Sequence, residues 1–288
     1  MNRRDFVSLT ALAAVRAFAQ ANPKLKLSLA EWSLNKAIRT REITNLDFPK
    51  VARERFGIEG LEFVNHLMET PTLSYQQQLK KRMADTGTKP VLIMCDREGD
   101  MGSPERAERL KSADAHRKWV DIAAELGCHA IRTNMLPGAK QPVTAAEVDK
   151  FLNDCAESYT RLRDYGKAAG ISILIENHVD GISNNVDVIA RLMKMVPGLG
   201  TLPDFGNFVK GTDRYEAVRK MMPFAKGVSA KVWDFDAANE ETTTDMARMM
   251  KIVKDSGYTG YVGIEYEGTR MSEYEGVAAA KKCLEKYL

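Results

Sequence analysis

Four short stretches of the sequence join apolar runs to residues that can do chemistry. "ILIENH" carries Glu176, Asn177 and His178; "TLPDFGNF" carries Asp204 and Asn207; "GVSAKVWDFD" carries Lys231; "YVGIEYEG" carries Glu265 and Glu267. Glu176, Asp204 and Glu265 each close an apolar segment. Brought together, three carboxylates repel unless a metal ion, a proton or a basic side chain compensates them. A divalent metal ion, a shared proton or the Lys231 ammonium would then have to balance Glu176, Asp204 and Glu265. Lys231 admits several roles, because a protonated lysine cannot ligate a cation. Metal could stay on the three acids, with waters or His178, while Lys231 reaches toward substrate. Alternatively the ammonium replaces the metal, neutralising the acids and stabilising a developing enolate oxygen. A Schiff base with a carbonyl substrate is a third route, but neighbouring carboxylates favour the charged, poorly nucleophilic amine. A structural ion pair at a barrel rim is the plainest alternative.

The elements that must position these residues are legible from periodicity. Short β-type runs fall at residues 25–32, 58–64, 89–95, 129–134, 171–176, 199–203, 226–232 and 260–267, separated by helical patterns, clearest at 105–126, 146–169 and 243–255. Two of these helical patterns end on Gly127 and Gly170, a usual C-terminal signal. Eight alternations without a low-complexity linker, and no G-x-G-x-x-G after the first strand, predict a (β/α)8 TIM barrel over residues 24–288 rather than a dinucleotide-binding sheet. In a barrel, chemistry belongs at the C-terminal strand ends, where residues two apart share a face. That rule pairs Glu176 with His178 and Glu265 with Glu267, leaving Tyr266 opposite. It also puts Arg132 and Asn134 together, placed to bind ligand hydroxyls. Trp32 could stack on the apolar face of a ligand. Glu62, Asn65, Asp96 and Asn207 complete the expected pocket. Each has an ordinary structural reading: an acid at a strand end is often a cap, a lone histidine a hydrogen-bonded core residue, and a tryptophan simple packing.

Arg3 and Arg4 before a short apolar run, with Ala17-Phe18-Ala19 as a small-residue cleavage site, read as a twin-arginine-type export signal over residues 1–19. The run from Phe6 to Val15 is too short to span a bilayer, so no stable membrane anchor is expected, and the mature chain is placed in the periplasm. A formal charge of only +3, smaller still without the leader, offers no electrostatic footprint for nucleic acid. Cys95, Cys128, Cys155 and Cys283 form no C-x-x-C pair and read as buried free thiols, although an even count in an exported chain leaves disulfides open.

The motifs "ILIENH", "TLPDFGNF", "VSAK" with "WDFD", and "YVGIEYEG" resemble those of the xylose isomerase-like TIM-barrel superfamily. More narrowly, they resemble exported proteins described as sugar phosphate isomerases/epimerases. The similarity covers the whole mature chain, including "AEWSL", "DFPKVARERFGIEGLEFVN" and "HRKWVDIAAELGCHAIRTN". The resemblance implies a small carbohydrate substrate and a divalent metal, commonly manganese, held by Glu after strand five, Asp after strand six, His after strand seven and Glu after strand eight. Carried over, these are Glu176, Asp204, Lys231 and Glu265, so the histidine position departs from the pattern. The resemblance further implies that the two glutamates exchange protons with adjacent sugar carbons across an enediolate, giving isomerisation or epimerisation. The same enolate could expel a β-substituent from a keto-glycoside, as a lyase or hydratase does. A non-catalytic sugar-binding barrel is a further reading. An abasic-site endonuclease would need many histidines, and the chain has four.

Overall fold

A computed structural model describes residues 25–135, 144–179 and 182–288; the export segment read at residues 1–19 lies outside them. Eight parallel strands form the barrel: β1 (Lys26–Ala30), β2 (Gly60–Val64), β3 (Lys89–Cys95), β4 (Ala130–Asn134), β5 (Ser172–Glu176), β6 (Gly200–Leu202), β7 (Val228–Val232) and β8 (Tyr261–Tyr266). Each expected strand is present, trimmed by at most two residues at either end. The helices are α1 (Asn35–Arg39), α2 (Phe48–Phe56), α3 (Leu73–Thr86), α4 (Arg106–Leu126), α5 (Ala145–Ala169), α6 (Val186–Met195), α7 (Arg214–Met221), α8 (Met246–Asp255) and α9 (Glu273–Glu285). The sheet order is β6-β5-β4-β3-β2-β1-β8-β7. Two single-residue bridges, Thr201 to Ala225 and Asp204 to Ser229, bring β6 to β7 and close the ring. Pro203 has no amide hydrogen to continue β6, so the closure is carried by Asp204 just beyond it.

The strands are buried on both faces, as a parallel sheet under helices requires. Ile173 and Ile175 point outward into the continuous core shared with the helices. Leu174 between them belongs to a separate apolar cluster with Val64, Leu92, Met94, Ala130 and Leu202, which fills the barrel interior. Burying one such leucine is worth about 1.5–3 kcal/mol. Two residues beyond Leu174, Ala130 and Leu202 on the same inward lanes stand Glu176, Arg132 and Asp204. The interior packing that stabilises the barrel thus aims these side chains at one mouth. The lanes of β1, β2, β7 and β8 differ, since they put Ser28, Glu62, Ser229 and Gly263 inside, the polar three nearly inaccessible to solvent. All four cysteines are free and buried.

Candidate active site

At the C-terminal ends of the strands a cavity of about 730 Å³ opens, lined among others by Glu176, Glu265, Glu267, Lys231 and Arg132. Another cavity, of about 500 Å³, lies at the opposite end beside Gly170, Gly198 and Lys226 and holds none of the candidate residues. Glu176, Asp204 and Glu265 are buried, and one carboxylate oxygen from each lies within 4.8 Å of the other two.

The local sequence explains how they are held. Asn177, next to Glu176, donates to the carbonyls of Asp204 (3.0 Å) and Asn207 (3.3 Å) and accepts from the Asp204 amide (2.8 Å), tying the end of β5 to the loop after β6. Asp204 Oδ1 accepts from the amides of Gly206 (2.8 Å) and Asn207 (2.7 Å), a tight turn that needs a short acid, while Oδ2 accepts from Ser229 Oγ at 2.6 Å. The same hydroxyl lies 3.3 Å from Glu265 Oε2. A β-carbon at Gly206 would come within 2.9 Å of Lys231 Cγ, so only glycine lets the lysine pass. Lys231 Nζ then bonds Glu265 Oε1 (3.0 Å), Glu267 Oε1 (2.9 Å) and Asn207 Oδ1 (3.0 Å). These three contacts match its three donors. Asn207 turns its amide nitrogen to Glu176 Oε1 at 3.2 Å and so links lysine to the far acid.

Arg132 is enclosed on the other side. Its Nη1 reaches Asp96 Oδ1 (2.6 Å) and Asn134 Oδ1 (3.2 Å), and its Nε stands 2.9 Å from Glu176 Oε2. The last contact is not aligned for hydrogen bonding, which leaves Glu176 Oε2 buried without a hydrogen-bond partner among the described residues. Asn134 also donates to Asp96 Oδ1 at 2.7 Å.

Electrostatics follow from this arrangement. Burial, aided by the charge of Glu265 and opposed by Arg132, pushes Glu176 up to about 7. Burial also pushes Asp204 up to about 7, against the pull of Lys231. Glu265 goes the other way: burial would raise it, but Lys231 in direct contact outweighs burial and holds it below its ordinary value. Burial works against the Lys231 ammonium, yet Glu265, Asp204, Glu267 and Glu176 together hold its pKa well above the usual lysine value.

The structure brings together most residues singled out in the sequence, with different partners from those expected. Arg132, Asn134 and Asn207 line the cavity, but the contacts above engage them with protein carboxylates. Trp32 donates its indole N–H to Glu267 Oε1 at 2.9 Å and carries the Arg39 guanidinium over its ring at 4.8 Å. His178 lines the cavity, and its amide donates to Ser183 Oγ at 3.1 Å. Glu62 is not in the cavity wall. It lies in the interior layer beneath Val64, where Ser28 Oγ donates to Oε1 at 2.5 Å and Oε2 has no hydrogen-bond partner among the described residues. A β-carbon at Gly263 would meet that oxygen at 2.4 Å, so the glycine makes its room. Burial, with repulsion from Glu265 and Glu176, pushes Glu62 up to about 8. Sequence reasoning assigned no role to Asn177, Ser229 or His66. Asn177 stood inside a quoted motif, and Ser229 is two residues before Lys231 on its face, which was the available signal.

A model of the xylose isomerase-like TIM barrel matches residues 50–287. No curated protein matches the chain in sequence. Among solved structures, the fold is similar to 3-keto-D-glucoside 4-epimerase from E. coli, at 14% identity and a TM-score of 0.71, over 91% of this chain and 100% of that one. It is similar also to a sugar phosphate isomerase/epimerase from Parabacteroides distasonis, at 17% identity and 0.69, over 94% and 97%. The probable 3-DHS dehydratase from Bacillus anthracis matches at 17% and 0.68, over 91% and 99%. With its eight-stranded barrel and its matched length, this chain belongs to the xylose isomerase-like TIM-barrel family.

Proposed function

We propose that the chain is an enzyme that moves a proton beside the carbonyl of a small carbohydrate, as an isomerase or epimerase does. The observation that carries this reading is the convergence of three buried carboxylates within 4.8 Å at the mouth of the barrel. Fold neighbours named as a keto-glucoside epimerase and a sugar phosphate isomerase/epimerase support it. The dehydratase neighbour supports the second reading, elimination through the same enolate.

The donor set fits a divalent ion. Three hard carboxylate oxygens suit manganese or magnesium, and Glu176 Oε2, though 2.9 Å from Arg132 Nε, has no hydrogen-bond donor among the described residues. Glu176, Asp204 and Glu265 would hold the ion, which when bound supplies charge to polarise the substrate carbonyl. The rest is done by the protein. Glu265, held ionised by Lys231, is placed to take the carbon-bound proton; Glu176, the more basic carboxyl across the site, is placed to return it. Carboxyls whose surroundings separate their basicity divide acid and base roles in this way. Lys231 keeps Glu265 and Glu267 in place and is not free to form a Schiff base while protonated.

Metal content of the purified protein, measured beside Lys231→His, tests this site. Wild type is expected to carry about one manganese, zinc or magnesium ion per chain. If wild type carries none while Lys231→His gains one, the ammonium replaces the ion and the metal part of the proposal fails. Deuterium uptake from solvent into a panel of keto sugars tests the reaction class, and mass loss in the product marks elimination.

Export belongs to the same reading and favours a free or oxidised saccharide over a sugar phosphate. The mature chain should begin after Ala19; a chain retaining Arg3 and Arg4 in the periplasm would overturn it.

A further inference from the structure

The cavity of about 500 Å³ at the N-terminal ends of β5, β6 and β7 takes no part in the chemistry above. Three cations line it, Arg163, Lys167 and Lys226, against one acid, Asp164. That acid is already engaged, since its Oδ1 accepts from Arg163 Nε at 2.7 Å. The wall therefore carries an excess of positive charge.

Lys226 lies across the lower end of β6. A β-carbon at Gly200 would come within 2.9 Å of Lys226 Cδ, so the glycine lets the stem pass. Its Nζ donates to the Gly198 carbonyl at 3.0 Å and to Ser172 Oγ at 3.3 Å, both neutral oxygens, and its third N–H has no acceptor among the described residues. Burial disfavours this ammonium, and no described carboxylate offsets the effect, in contrast to Lys231 with Glu265 and Glu267 beside it. Arg163 and Lys167, four residues apart, share a face of α5. Arg163 Nη1 donates to the Pro197 carbonyl, and its Nη2 is uncommitted among the described residues. Lys167 makes no hydrogen bond or ion pair among them. Uncommitted donors of three side chains thus meet in one cavity, from α5 on one side and the approach to β7 on the other.

We propose that this cavity binds a phosphate group, and that the bound anion braces the joint between β6 and β7. A phosphate is favoured over a carboxylate because its higher charge matches the excess of cations, and its several oxygens can accept from donors on both sides. Lys226 is itself part of the joint. Its amide donates to the Thr201 carbonyl at 3.1 Å, beside the bridge from Thr201 to Ala225, and its carbonyl lies 2.8 Å from His129 Nε2. An anion held by Lys226 together with Arg163 and Lys167 would tie the start of β7 to the helix packed on β5, across the strand that only single bridges join to β7. The site is independent of the reaction at the opposite mouth.

Inorganic phosphate titrated into the full protein at constant ionic strength, in exchange for chloride and followed by amide shifts in ¹H–¹⁵N spectra, tests the site. Saturable shifts are expected at Gly170, Gly198 and Lys226. Lys226→Gln should weaken binding about tenfold. Lys167→Gln, which removes no contact of the fold, should weaken it about threefold. Glycerol 3-phosphate distinguishes the sources: binding tighter than that of inorganic phosphate marks a phosphate ester, and equal or weaker binding marks the free ion. Shifts that grow without saturating, shifts confined to Lys231 and Glu265, or an affinity unchanged in both variants overturn the proposal. Hydrogen exchange with and without phosphate tests the brace. The amides of Phe205 and Ser229 should slow more than those of Leu61 and Phe63 in β2, and equal slowing at both places overturns it.

Discussion

The ammonium of Lys231 has every N–H bond engaged inside the protein, on Glu265, Glu267 and Asn207. Replacing it by methionine leaves two carboxylates in the site without their cation. We expect Lys231→Met to lose about 3–5 kcal/mol in urea unfolding, the usual cost of breaking a buried pair from one side. Glu62 makes a different prediction, because its carboxyl has no cation in contact. Its folded value near 8 lies above the ordinary carboxylate value of 4.5, so the folded state holds its proton longer than the unfolded chain does. Stability tied to Glu62 is therefore complete below pH 4.5 and is lost as pH rises toward 8. Glu62→Gln, which is neutral throughout, should remove on the order of 3 kcal/mol of that decline. Unfolding curves at pH 5 and pH 8 compare the two proteins, and an unchanged slope for the variant would refute the assignment.

At the scale of elements, the loop after β6 determines whether the site exists. Gly206→Ala puts a methyl group against Lys231 Cγ, and we expect a loss of about 1–3 kcal/mol together with weaker metal retention, read by thermal unfolding and metal analysis of one preparation. The strands were legible as short apolar runs set between helical patterns, and alternation along a run then gave the face: Leu174 and Glu176 in, Ile173 and Ile175 out. Alternation gives the face but not the depth. Glu62 was expected in the pocket; it faces inward but lies a layer below the cavity. Nor does alternation give partners across the barrel. Arg132 and Asn134 could be put side by side from spacing alone, but their capture by Asp96 depends on where β3 ends relative to β4. The Asn177 clamp depends likewise on a loop that comes near only after the ring closes. The three acids were found because each ends its own apolar run, a signal contained in local sequence.

For the molecule as a whole, the ring is least secure between β6 and β7. Single bridges join them, with Ser229 donating to the Pro203 carbonyl at 2.9 Å and Phe205 to the Ser229 carbonyl at 3.0 Å, whereas β4 and β5 pair over their full lengths. Hydrogen exchange should therefore be faster at the amides of Phe205 and Ser229 than at Ile173 to Ile175, since local opening follows the weakest pairing. Uniform protection around the ring would contradict this. Asp204 and Ser229 both sit on that seam, so opening it would also loosen the site. The lysine threaded over Gly206 acquires a wider meaning from this position. It is a tethered counter-ion: it cannot be diluted, chelated or exchanged, and it is supplied in the same act of translation as the acids it balances. A barrel that carries its own positive charge in this way can fold and wait, its carboxylates already in register, before any ligand arrives.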